Sequence, residues 1–273
     1  MKKHVKEIPF IMVLALALFL FMLPIYLMVN ISLKNMTQIF SVPPFSAWQI
    51  TYANYAYILG WTDFPKYFVN SVIISGCSTL MALALGVPAA YSFARFKFRR
   101  SEDLSFFILS TRMAPPIGVV IPLFLVYQEV GLYDTYLGLI LVYVTLGLAL
   151  VVWLMKGFFR NIPVELYEAA VIDGCSRLDA FLRIDLPLCA PGLVATAILS
   201  IMFNWNEFLM ALVLTGYERK PLPVVMYGFV TTLSVDWGRL CATAVIVVLP
   251  IIFFALIVQK YIVAGLTLGA VKG

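Results

Sequence analysis

Leu137-GLILVYVTLGLALVVWLMKG-Phe158 carries a single charge, Lys156, in 22 residues. A helix rises about 1.5 Å per residue, so a run of this length matches the roughly 30 Å hydrocarbon layer of a bilayer. Working outward on both sides, five further segments meet the same test. With the first, the set is approximately Pro9–Ile31, Phe68–Phe93, Leu104–Tyr127, Leu137–Phe158, Pro191–Leu214 and Leu240–Val263. The chain therefore reads as an all-α, polytopic membrane protein with six transmembrane helices. It forms a single transmembrane domain over residues 1–273, with a first spanning helix at 9–31 and a core over about 68–263.

Composition agrees. Hydrophobic residues are 63% and charged residues 12% of the chain, against roughly 45–50% and 25% in globular proteins. The mean hydropathy is +0.98. This excludes a disordered chain, and 16 glycines without a three-residue period exclude collagen. The four cysteines, Cys77, Cys175, Cys189 and Cys241, form no CxxC pair, and the only histidine is His4. A disulfide framework and a Cys/His zinc site are not expected.

The net charge of +5 suggests a nucleic-acid partner until the charges are placed. They lie between the apolar runs, so they read as topology markers, and no nucleic acid is expected. With the N-terminus inside, the inner segments hold Lys2, Lys3 and Lys6, then Arg95, Lys97, Arg99 and Arg100. They also hold Lys156, Arg160, Arg177 and Arg183, and finally Lys260 and Lys272. The outer segments hold only Lys34, Lys66, Arg219, Lys220 and Arg239. The excess places both termini in the cytosol. The first segment follows lysines, as a signal peptide would, but its apolar run is too long and no A-x-A-like site follows. It reads as a retained anchor.

Ser78, Ala82, Gly86, Ala90 and Ala94 recur every four residues and share one face of the second span. Small residues let helix backbones approach closely in lipid, so this is read as a packing face. Pro88, and Pro115–Pro116 in the third span, remove backbone donors and predict bends, for packing or for gating. Two outer segments are long. Lys34–Lys66 carries Pro43, Pro44, Trp48, Tyr52, Tyr55, Tyr57 and Trp61. Gly216–Gly238 carries Tyr217, Pro221, Pro223 and Trp237. Interfacial anchoring and partner docking both explain such aromatics.

The inner segment after the fourth span reads Asn161-IPVELYEAAVIDGCSRLDAFLRIDLPLCAP-Gly192. Pro163 suits a first helical turn and Glu165 favours its positive end. Leu166, Ala169, Ala170 and Ile172 give an apolar side. Gly174 is placed to end the helix in a left-handed conformation. Ser176 and Asp179 make a capping-box pattern for a second short helix, with Leu178, Phe181 and Leu182 on its apolar side. Pro187 is expected to stop it. Helices this short are marginal alone and need a partner surface.

The spacing Glu168-Ala169-Ala170, three residues, Gly174, nine residues, Ile184-x-Leu186-Pro187 resembles the EAA loop of permease subunits of ABC importers. The six-span layout and the ending Val263-AGLTLGAVK-Gly273 resemble the shorter permease of maltose-type carbohydrate importers. The resemblance implies a cytosolic coupling-helix loop over 159–190 docked in a cleft of an ATPase subunit. Glu168, Ala169, Ala170, Asp173 and Gly174 would form its turn, with Ile184, Leu186 and Pro187 closing it. It further implies a second, homologous permease, two ATPase subunits holding ATP and Mg, and an extracytoplasmic solute-binding protein. Residues 216–238 would reach toward that protein, and the tail 264–273 would lie against the ATPases. The location implied is a bacterial or archaeal cytoplasmic membrane. The chain carries no G-x-x-x-x-G-K-[ST] phosphate loop, so no ATP hydrolysis and no cofactor are expected on it.

Charges and amides within spans are costly and mark pathways or pairs. Arg112, Asn204, Trp205, Asn206 and Glu207 supply donors, acceptors and an aromatic face for a hydroxylated solute, and Asn70 begins the second span. An Arg112–Glu207 ion pair is the plainer alternative. A secondary transporter using Glu207 is the competing function. It lacks other intramembrane carboxylates and any internal repeat.

Overall fold

The computed structural model describes residues 2–41, 49–96 and 98–270, with side chains described for 9–40, 49–96 and 98–259. Pro43, Pro44, Trp48, Lys97 and the tail residues 271–273 fall outside the described residues. So do the side chains of Lys2, Lys3, His4, Lys6 and Lys260.

Among the described residues the chain is helical, with no strand and one isolated bridge, Val230 to Val235. Four helices are long and apolar enough to cross a membrane, and the number reaches six if two bent pairs each count as one span. The chain divides into two compact units, Met1–Pro65 with Val225–Leu249, and Lys66–Val224 with Pro250–Gly273.

In the first unit, α1 (Lys2–Ser32) leads through α2 (Met36–Ser41) to α3 (Ala53–Gly60). None of the apolar stretch of α1 is buried within the chain. The segment after it is tied down by side chains. Asn54 Nδ2 donates to the carbonyls of Ser32 and Lys34, both at 2.9 Å. Ser32 and Tyr55 hydroxyls lie 2.7 Å apart. Trp61 meets Phe229 edge to face, and the Arg239 guanidinium lies over Tyr57. Tyr55, Tyr57 and Trp61, read as anchors or docking residues, therefore make contacts within this unit, although Tyr57, like Tyr52, stays exposed.

The second unit is organised around α7 (Tyr136–Arg160), the most buried of the long helices. Toward its start, Leu139, Val142 and Tyr143 pack with Ile74, Val120, Met210 and Leu214. Toward its end, Val151, Met155 and Phe159 pack with Ala82, Ala90, Tyr91 and Phe181. α4 (Phe64–Arg95) runs unbroken through Pro88. Its small-residue stripe is a packing face: Ser78, Ala82 and Ala90 are fully buried, and a methyl at Gly86 would strike Val151. Lipid is as apolar as these side chains, so close van der Waals packing is the main attraction available between the helices.

Two spans depart from the expected form. The third is α5 (Ser101–Ser110) with a 3₁₀ turn (Thr111–Met113), then α6 (Pro116–Glu129), bent by 89°. Each proline pushes the residue before it out of the helical region. Ala114 (ψ 130°) and Pro115 (ψ 120°) are accordingly both extended, and the expected bend is a break. The fifth is α11 (Ala190–Trp205), which is bent by 76° from the preceding Arg177–Leu188, stops at Asn206 and is followed by α12 (Leu209–Leu214). α13 (Leu222–Tyr227) and α14 (Trp237–Ala270) complete the chain.

Candidate functional site

The segment joining α7 to α11 holds α8 (Val164–Ile172), α9 (Arg177–Ala180), a π turn (Phe181–Asp185) and α10 (Leu186–Leu188). Its turn is closed by backbone hydrogen bonds. Gly174 has φ +89°, a conformation that costs a non-glycine residue roughly 1–2 kcal/mol. The N–H of Gly174 donates to the Val171 carbonyl at 3.1 Å, and that of Cys175 to Ala170 at 2.9 Å. These are the two bonds of a Schellman C-cap. Ser176 Oγ then accepts the N–H of Asp179 at 3.1 Å and donates to its carboxylate at 2.5 Å, the expected N-cap. That hydroxyl, with Arg183 beside it, holds the Asp179 carboxyl below its usual range. The charge is kept through mildly acidic pH and lost only as pH falls below the ordinary carboxylate range.

The second helix ends one residue past Pro187, at Leu188, and the chain bends there by 76° into α11. The missing N–H and the ring of Pro187 exclude a regular turn onto the Arg183 carbonyl. The backbone widens instead, with the Leu186 N–H bonding back to Phe181, and helix continues to Leu188. The widened turn places both Phe181 and Asp185 inside. Of the residues singled out in sequence, Glu168, Ala169, Asp173 and Gly174 are exposed at the turn. Ala170 is buried, Ile184 and Leu186 are half-buried, and Pro187 is exposed. Leu166, Ile172, Leu178 and Leu182 are exposed too, Ile172 at 85%, and nothing among the described residues covers them.

The polar set of the fifth span is not one open path. Asn204 is buried and donates to Thr79 Oγ1 at 3.1 Å, and Trp205 is buried edge-on against Phe68. Asn206 is exposed, with Nδ2 donating to the Met202 carbonyl at 2.8 Å. Glu207 caps α12: its carboxylate accepts the N–H groups of Met210 (3.0 Å) and Ala211 (3.2 Å). The Arg112–Glu207 pair does not form, and Arg112 lies over the Phe203 ring at 4.9 Å.

Two constellations escaped the sequence reading. Asn70 is buried, donates to the carbonyls of Glu218 and Lys220 (3.0 Å each) and accepts from the Tyr136 hydroxyl at 2.6 Å. Asp134, itself left-handed at φ +54°, accepts the N–H groups of Glu218 and Arg219. The near half of the 216–238 segment is thereby stapled to α4 and to the turn before α7. Asn70→Ala should strand two carbonyls and a hydroxyl, at about 1–3 kcal/mol. Amide exchange at Glu218, Arg219 and Leu222 should then rise about tenfold or more, and unchanged rates would show that the staple holds nothing. The second constellation joins Arg95 to Asp185, both side chains buried, and to the Ile162 carbonyl at 3.0 Å. The signal available in sequence was one carboxylate, Asp185, between the apolar Ile184 and Leu186. Among the described residues no cluster of three or more His, Cys, Asp or Glu is placed to hold a metal.

Residues 82–268 match the family described as binding-protein-dependent transport system inner membrane component. The chain is 41% identical to the trehalose transport system permease protein SugB of Mycobacterium tuberculosis, over 82% of this chain and 83% of that one. It is 37% identical to the trehalose/maltose transport system permease protein MalG of Thermococcus litoralis, over 84% of each. It is 33% identical, over 100% of its own length and 99% of the other's, to the inner membrane ABC transporter permease protein YcjP of Escherichia coli. A chain of a bacterial ABC transporter involved in the import of the acidic polysaccharide alginate shares the fold. The TM-score is 0.79 at 22% identity, covering 95% of this chain and 97% of that one. The chain belongs to the inner membrane components of binding-protein-dependent ABC importers. It is a multi-pass permease subunit without catalytic chemistry of its own.

Proposed function

We propose that this chain is one of two permeases of an ATP-driven carbohydrate importer, docked on its ATPase through residues 164–188. The observation that carries the docking reading is the capped loop with its uncovered apolar residues. Leu166, Ile172, Leu178 and Leu182 are held in fixed geometry by the Gly174 and Ser176 caps, yet remain exposed. A rigid helix pair presenting apolar side chains suits a groove on a partner. The carbohydrate class rests on relatives named for trehalose, maltose and diacetylchitobiose transport.

On this reading the loop and both termini are cytosolic, as the distribution of Lys and Arg favours. ATP and Mg belong to the ATPase pair, and a solute-binding protein delivers the sugar outside. The whole chain acts as one transmembrane domain, and closure of the ATPases rocks it between inward- and outward-facing states. Asn206 and Arg112 are the members of the polar set left exposed to a solute. Asn204 and Trp205 support them from inside, and Glu207 holds α12. That last role removes the carboxylate which ion-coupled transport would need.

The test is to purify the tagged chain from its native membrane in mild detergent. A second permease and an ATPase that turns over ATP should co-purify, and Glu168→Lys should weaken retention of the ATPase. A single-chain preparation, even after crosslinking through residues 164–188, would overturn the reading.

A further inference from the structure

One guanidinium holds both ends of the loop. Arg95 is the last residue of α4. Its Nη1 donates to the Ile162 carbonyl, just before α8, and its Nη2 to the carboxylate of Asp185, just before α10. The two side chains are 4% and 0% exposed. Asp185 Oδ2 and Arg95 Nε make no close hydrogen bond among the described residues, and the Tyr91 hydroxyl is a further polar group facing the Asp185 carboxylate. Aromatic contacts seat the loop on the same end of α4. Tyr91 packs on Phe181 and Phe159, Phe96 meets Tyr167, and Arg177 lies over Phe96.

The other end of α4 carries a second clamp, Asn70 on the carbonyls of Glu218 and Lys220. About 38 Å of helix separates Asn70 from Arg95 at 1.5 Å per residue. Stability alone does not call for a buried ion pair at one end. An apolar pair of similar volume serves as well or better. What the pair supplies is direction: it fixes which turn of the loop meets which turn of α4. Asp185 stands at the unspecified position between Ile184 and Leu186, so the loop motif does not demand it.

We propose that Arg95 and Asp185 are positioning residues that strap the loop to α4, making that helix a strut which carries loop displacement to the 214–222 segment. The proposal rests on the docking reading. Coupling of this kind is reciprocal, so occupancy at the outer segment is felt at the loop through the same contacts.

The test uses the complete purified transporter in lipid nanodiscs, with amide exchange followed before and after trapping with ATP and vanadate. Trapping should change exchange both in 164–188 and at Glu218, Arg219 and Leu222. In the doubly apolar variant Arg95→Met/Asp185→Leu, the response in 164–188 should persist. The response at 218–222 should fall at least about fivefold, the lower end of ordinary allosteric couplings. A wild-type response at 218–222 in this variant overturns the strap. If the double variant fails to assemble, Arg95→Lys decides. It keeps a charge for Asp185 but, as a single-point donor, cannot span Ile162 and Asp185 together. An undiminished outer response there also overturns the strap. If 164–188 itself does not respond in the wild type, the docking reading falls and the strap falls with it. A response in 164–188 with none at 218–222 in the wild type overturns the strap alone.

Discussion

Gly174→Pro should leave the chain in the membrane and abolish both uptake and retention of the ATPase subunit. Three faults arise at one residue. Proline fixes φ near −65°, where the native backbone needs +89°. It removes the N–H that donates to Val171. It also pushes the preceding residue toward extended backbone, away from the φ −70° and ψ 2° that Asp173 holds. Together these cost about 3 kcal/mol or more, beyond what a helix of nine residues supplies alone. α8 and α9 then lose their mutual geometry, and the exposed Leu166, Ile172, Leu178 and Leu182 lose their fixed placement. No span passes through Gly174, so the membrane level of the chain should be near that of wild type. Gly174→Ala should be milder, since only the left-handed φ is penalised, by about 1–2 kcal/mol. The measurements are uptake in cells and co-purified ATPase per mole of permease. Uptake at the wild-type rate in Gly174→Pro would refute the coupling role of this turn.

That turn was legible in sequence because its determinants are local. A left-handed residue asks for glycine, and an N-cap asks for serine with an acid three residues on. Both appear in the chain at the expected spacing. The long spans were legible for a similar reason, since 20 apolar residues are their own signal. The breaks were less so. Pro115–Pro116 announced a bend, but two successive extended residues turned it into an 89° break. Asn204 and Glu207 lie three apart and share a side in a continuous helix, so sequence grouped them. The helix ends between them, and Glu207 spends its carboxylate on the next one. The pairing of Arg95 with Asp185, 90 residues away, had no local signature. In the charge pattern Arg95 served only as a topology marker. Such pairs are fixed by tertiary packing, and one sequence does not display them.

Gly138→Ala should be the most damaging single methyl on α7, and Gly157→Ala, on the same helix, should be harmless. A methyl at Gly138 would lie 2.3 Å from the Leu132 carbonyl oxygen, 3.1 Å from Thr135 Oγ1 and 3.1 Å from Tyr127 Cε2. None of these neighbours has room to give. The Leu132 carbonyl accepts the Thr135 hydroxyl at 2.7 Å, and the Leu132 N–H donates to Tyr127 at 2.8 Å. The Tyr127 hydroxyl donates to the Gly138 carbonyl at 3.1 Å, and the Gly138 N–H to Thr135 Oγ1 at 3.0 Å. Moving the backbone therefore breaks the cap of α7 and the turn from α6 together. Overpacking costs about 1–3 kcal/mol where side chains yield, and more where backbone must move. At Gly157 a methyl would meet nothing within 4 Å. Alanine there should even gain up to about 1 kcal/mol of helix propensity. The two variants should be compared by membrane level and by the melting temperature of the purified complex. Loss of both in Gly138→Ala, with Gly157→Ala at or above wild type, is the expected result. Equal behaviour of the pair would mean that the Tyr127–Gly138 turn does not hold the start of α7.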